Sequence, residues 1–145
     1  MIFFSSALEL ILEYKMIMNK LVIDAASEKI FLMIITKDDI YNITKENTKI
    51  NYEKLTLIVK DFLFSNSLKL DDIQEIYINR GPGSFAGIRN SLSLVKAFNI
   101  GRKIDYYCYS LRDFKDQKDI KYEDIPKLCD KFKIKKNLIK PIYLS

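Results

Sequence analysis

The chain has 145 residues, 48% hydrophobic and 30% charged, with 24 Lys and Arg against 19 Asp and Glu for a net charge of +5. A chain of this length buries roughly 68–70% of its unfolded surface, so one domain with a core of its own is expected, with at most a small appendage. It contains no histidine, which excludes Ser-His-Asp and Cys-His catalysis, histidine bases and histidine metal ligands together.

The first seventeen residues, MIFFSSALELILEYKMI, break their apolar run with Glu9 and Glu13 and so do not read as a membrane span. They also lack the basic start and small-residue cleavage site of a secretory signal. Leu8, Ile11, Leu12 and Lys15 have helical spacing. The segment is therefore either a short amphipathic helix or an extension ahead of a start at Met18, and the clean strand after Met18 favours the second. The expected organisation is this segment at 1–17, a lobe at 18–113 and a reduced remnant at 114–145.

KLVIDAA (20–26) is β-branched and apolar and ends in an acid, as a buried strand does. KIFLMIITK (29–37) and IYNITKE (40–46) complete an antiparallel meander around a turn at Lys37-Asp38-Asp39. The period then changes. Tyr52, Leu55, Ile58, Val59, Phe62 and Leu63 share one helical face, with Asn51 as its N-cap and Glu53 as early negative charge. IQEIYIN (73–79) is a fourth strand, Phe85, Ile88, Leu92 and Val95 mark a second helix, and KIDYYCYS (103–110) is a fifth strand. A short helix over 124–132 and a strand-like PIYLS close the chain. Three antiparallel strands followed by right-handed crossovers give one five-stranded mixed α/β sheet, in βββαβαβ order, with helices on its faces.

Three of the four glycines fall between the fourth strand and the second helix, in Gly81-Pro82-Gly83-Ser84-Phe85-Ala86-Gly87. A strand-to-helix turn can hold an anion, because free amides and the helix dipole favour negative charge there. Neither phosphate signature fits: there is no P-loop lysine, and the glycines are spaced GxGxxxG. The alternative is a shaped turn in which Pro82 stiffens the chain, Gly83 supplies a positive φ and Ser84 caps the helix.

GPGSFAGIR, following IQEIYINR and entering an apolar helix, resembles the GPGSFTGxR signature of the bacterial TsaB (YeaZ) family of tRNA threonylcarbamoyladenosine biosynthesis proteins. LVIDAAS stands where that family has its LxIDTS opening strand, and PIYLS is similar to its C-terminal motif. The likeness covers about 18–113. It implies the N-terminal lobe of an actin-like ATPase (ribonuclease H-like) fold, with the second lobe largely missing. It further implies a non-catalytic cytoplasmic subunit that pairs with a catalytic paralogue, TsaD, works beside an ATPase, TsaE, and meets tRNA only indirectly. The chain departs from the family pattern at Ala86 and Asn90, and Asp24-Ala25-Ala26-Ser27 lacks the glycine of the phosphate-binding DxGT form. No cofactor, ATP included, and no metal is expected.

The expected partner interface is Tyr52, Leu55, Val59, Phe62, Phe85, Ile88, Arg89, Leu92 and Val95, from the two helices. In the free chain the same surface could pair with a second copy. Leu94, Ala97 and Ile100 lie off the Phe85–Val95 stripe, which suggests a helix apolar on two sides. Two other readings compete. In one, Asp24 and the 81–87 loop hold a nucleotide phosphate, against a turn-capping role for Asp24. In the other, Lys131, Lys133, Lys135, Lys136 and Lys140 touch tRNA phosphates, against a solvated strand edge alternating with Phe132 and Ile134. Cys108 and Cys129 lack CxxC spacing and read as reduced, buried thiols of a cytosolic protein.

Overall fold

The computed structural model describes residues 6–11 and 18–143. Five strands, β1 (Lys20–Asp24), β2 (Lys29–Ile35), β3 (Ile40–Glu46), β4 (Glu75–Asn79) and β5 (Asp105–Tyr109), form one sheet in the order β3-β2-β1-β4-β5. The meander β1–β2–β3 is antiparallel, whereas β1–β4 and β4–β5 are parallel. Parallel neighbours need crossovers, and helices supply them: α1 (Lys49–Glu53) with α2 (Leu55–Ser65), and α3 (Phe85–Arg102). A last helix, α4 (Ile125–Lys131), follows β5 at a distance.

Side-chain alternation splits the strands between two cores. Leu21 and Ile23 of β1 and Ile76 and Ile78 of β4 meet α1, α2 and α3 on one face. Val22 and Tyr77 point the other way, where Tyr109, Phe114, Ile125, Leu128 and Cys129 cover them. Residues 111–134 thus lie over the sheet face opposite the helical layer, whereas Ile139 and Tyr143 return to the side of α3. All five residues of β4 are buried, as expected of a strand flanked by parallel neighbours and covered on both faces.

Several local expectations are corrected. The N-cap of the first helix is Thr48, not Asn51: Thr48 has extended backbone, and its Oγ1 accepts the amide N–H of Asn51 at 3.2 Å. The Asn51 side-chain amide instead donates to the Glu46 carbonyl, tying the helix to the end of β3. Glu53 closes α1 rather than charging its first turn, and makes an exposed pair with Lys49. Lys54 then interrupts the helix before α2 starts.

PIYLS forms no strand at 141–143, and 144–145 lie outside the described residues. Ile142 does donate its N–H to the Arg80 carbonyl. Phe132 and Ile134 do not alternate along a strand edge. Phe132 lies in a turn after α4 and Ile134 in irregular chain, and the one isolated bridge among the described residues is Tyr107 to Lys136. Residues 7–11 are helical with Leu8, Leu10 and Ile11 exposed. The expected pattern partners Leu12 and Lys15 lie outside the described residues.

Candidate functional site

The glycine loop is a close-packed turn. A Cβ on Gly83 would overlap the Ala26 carbonyl, and one on Gly87 would overlap the Ala25 carbonyl, so both glycines let α3 start hard against the end of β1. The positive φ belongs to Gly81 (+106°), not Gly83. Gly81 also faces the Ile142 carbonyl, where a Cβ would again collide. The Gly81–Pro82 peptide is cis. Ser84 caps α3 as expected, its Oγ accepting the Gly87 N–H at 3.1 Å. The Gly81 N–H donates to Asn79 Oδ1, and the Ser84 N–H donates to the Ala26 carbonyl. Three loop amides that a phosphate would use are therefore bonded within the chain.

Asp24, buried at the end of β1, is the centre of a polar cluster. Its Oδ1 accepts the N–H groups of Ala26 and Ser27. Its Oδ2 accepts Ser27 Oγ–H at 2.9 Å, Asn79 Nδ2–H at 3.2 Å and Tyr122 Oη–H at 2.7 Å. Tyr122 stacks on Phe31 with ring centroids 3.9 Å apart and so closes over the carboxylate. Burial and the adjacent Asp24 charge push the Tyr122 phenol well above its ordinary range, so it remains a donor. The actin-like fold implies a nucleotide at this strand end, and these residues do not fit one. Five internal donors use both carboxylate oxygens, and the Gly81, Ser84 and Gly87 amides of the turn are bonded within the chain.

Asn79, Arg80 and Tyr122 were not legible as site residues. Arg80 forks onto Asp113, with Nη2 to Oδ1 at 2.7 Å and Nε to Oδ2 at 3.3 Å, and donates Nη1–H to the Lys140 carbonyl. A second buried carboxylate, Glu75, accepts the hydroxyls of Tyr77 and Tyr107. The Tyr109 hydroxyl is fully buried with no hydrogen-bond partner among the described residues. Among those residues, no group of three or more His, Cys, Asp or Glu could hold a metal. No helix among them is long and apolar enough to cross a membrane.

Most of the expected interface residues turn inward. Tyr52, Leu55, Val59, Phe62, Ile88, Leu92 and Val95 are all buried in the core beneath the helical layer. Leu94 is buried as well, because α3 packs both on β4 and β5 and against its neighbours α1 and α2. Phe85 and Arg89 are exposed, the guanidinium lying over the ring at 5.7 Å. The outer side of the layer carries other apolar groups, of which the sequence marks Ile100 as lying off the main stripe but not Ile50, Leu57 or Phe64. Ile50, Leu57 and Phe64 are 61%, 54% and 83% exposed, at seven-residue spacing. Ile100, on α3, is 72% exposed.

The sheet order, the crossover helices and the glycine turn at the end of β4 define the N-terminal lobe of an actin-like, ribonuclease H-like fold. Two solved structures agree. One is described as YeaZ from Pseudomonas aeruginosa, with a TM-score of 0.59 at 19% identity over 69% of this chain and 50% of that one. The other, from the same organism and described as similar to peptidase YeaZ, has the same score and covers 49% of that chain. Two curated relatives are named tRNA threonylcarbamoyladenosine biosynthesis protein TsaB, from two strains of Buchnera aphidicola. Both are 26% identical, over 98 residues covering 68% of this chain and 47% of the relative, and over 91 residues covering 63% and 41%. No family model matches. The chain is similar to the TsaB (YeaZ) proteins in sequence and fold and spans about half the length of the relatives it matches.

Proposed function

We propose that the chain is a non-catalytic partner subunit in the formation of threonylcarbamoyladenosine at position 37 of tRNA. It pairs with a TsaD-type catalytic paralogue, alongside a TsaE-type ATPase, through the outer side of α1, α2 and α3. The names of the curated relatives support the pathway. The observation that carries the pairing is that Leu57 and Phe64, seven residues apart on one side of α2, are both exposed, with Ile50 of α1 and Ile100 of α3 also exposed. Large apolar groups left in water on one side of a helical layer favour a protein neighbour. Preorganising a partner needs a shaped surface and no chemistry of its own, which accords with the absence of histidine and the internally bonded Asp24.

Co-purification with the TsaD-type paralogue of the same genome tests the reading. Wild type is expected to form a stable complex, and Leu57→Glu/Phe64→Glu is expected to lose it. Both positions are exposed, so the variant keeps its fold, checked by circular dichroism. Failure of folded wild type to bind the paralogue sinks the proposal.

A further inference from the structure

We propose that Lys133, Lys135 and Lys140 form a binding site for the phosphodiester backbone of RNA, a role that rests on the tRNA reading above. Residues 131–140 hold five lysines and no carboxylate. The segment is fastened to the body rather than trailing from it. Asn137, at a left-handed φ of +59°, accepts the Tyr106 N–H at 2.9 Å and returns its own N–H to the Tyr106 carbonyl at 2.7 Å. Its side-chain amide also donates to Asp105 Oδ1 at 2.9 Å. At one end of the segment the Ile134 N–H reaches back to the Cys129 carbonyl, and at the other Arg80 holds the Lys140 carbonyl at 3.1 Å.

These anchors bring Lys133, Lys135 and Lys140 into the lining of one shallow pocket of about 180 Å³, with Arg80, Asp113 and Cys108 also in its wall. Asp113 is the one carboxylate in that lining, and the Arg80 fork neutralises it. Lys136 pairs with Asp105 at 3.7 Å. Among the described residues Lys133, Lys135 and Lys140 pair with no carboxylate, so three exposed lysines with no anionic partner border one pocket. Lysines without the arginine fork suit sequence-independent backbone contact, where charge and counterion release carry the affinity. A loop already held in shape loses little further freedom on binding.

The test measures binding of the full-length chain to a tRNA transcript by fluorescence anisotropy, with potassium chloride varied between about 50 and 200 mM. Wild-type affinity is expected to fall steeply with salt. Lys133→Ala/Lys135→Ala/Lys140→Ala should cut it about tenfold or more and flatten the log–log slope by about two, as three lost phosphate contacts require. Lys45→Ala/Lys60→Ala/Lys69→Ala removes equal charge elsewhere and is expected to change both far less. Equal losses in the two triples would mean diffuse attraction and overturn the site. So would an unchanged slope in the first triple, or wild type that ignores tRNA while sedimenting with phosphatidylserine vesicles. Pairing with the paralogue, measured on the same proteins, should be intact in the first triple. If wild type binds tRNA through this site yet never pairs, the subunit proposal fails and the RNA site stands.

Discussion

The two faces of the sheet are held by different physics. Under α1, α2 and α3 the contact is almost wholly apolar, with Leu21, Ile23, Val59, Leu63, Ile76, Ile78 and Ile88 all at 0% exposure. Over the opposite face a smaller apolar cluster is pinned by polar links: Tyr122 to Asp24, Arg80 to Asp113, and Tyr77 and Tyr107 to Glu75. Apolar burial is non-directional and tolerates repacking. Buried polar links are directional, and losing one partner leaves the others unsatisfied. The helical face therefore supplies the bulk of the stability, and the polar face decides where residues 111–134 sit.

Substitutions that stress one face at a time sharpen this contrast. On the helical face, Leu92→Ala opens a cavity and should cost about 2–5 kcal/mol in urea unfolding. On the polar face, Asp24→Asn keeps the volume but turns amide hydrogens toward a set of five donors. A loss of about 1–3 kcal/mol is expected, with increased protease cleavage within 111–134. Tyr122→Phe removes only the 2.7 Å bond and should cost about 1 kcal/mol.

The buried thiols and phenols, on both faces, also predict a pH response. Burial raises the Cys108 thiol from 9.0 to about 12, partly offset by the nearby Arg80 charge. A folded thiol that holds its proton to higher pH than the unfolded one contributes stability that is fully present below about 9 and declines as pH rises toward 12. The buried phenols of Tyr77, Tyr107 and Tyr109 are raised in the same direction, first by burial. The melting temperature should therefore fall from pH 8 to pH 10.5, and an unchanged value would contradict the buried-thiol geometry. The smallest effect is kinetic: native Cys108 and Cys129, both buried and free, should react with iodoacetamide far more slowly than in urea.

The contrast also explains what the sequence could tell. The helical face was legible, because its order follows from local period: alternation in β1 and β2, and steps of three and four in Ile88, Leu92 and Val95. What the period could not say is which apolar residues remain outside. It marked Leu55 and Phe62 as a partner surface, whereas the layer buries them and leaves Leu57 and Phe64 in water. The glycine turn was legible as a turn, with Ser84 as its cap, but the demand for a positive φ falls on Gly81 because the chain bends there beneath Ile142. The polar face was not legible. Asp24 meets Asn79 at a separation of 55 residues and Tyr122 at 98, and no spacing rule spans such distances. The Lys-rich segment looked like a strand edge because Phe132 and Ile134 alternate with lysine. Asn137 at its left-handed φ makes it a folded loop.

The most direct measurement is a titration of the TsaD-type paralogue against three folded proteins: wild type, Leu57→Glu/Phe64→Glu on the helical layer, and Lys127→Glu on the exposed side of α4. If the helical layer is the pairing face, the double variant weakens binding by about 30-fold or more, as loss of a hot spot does, and Lys127→Glu stays within about twofold of wild type. Binding that survives the double variant but collapses with Lys127→Glu would place the partner on the polar face and contradict the division of labour between the two sides of the sheet.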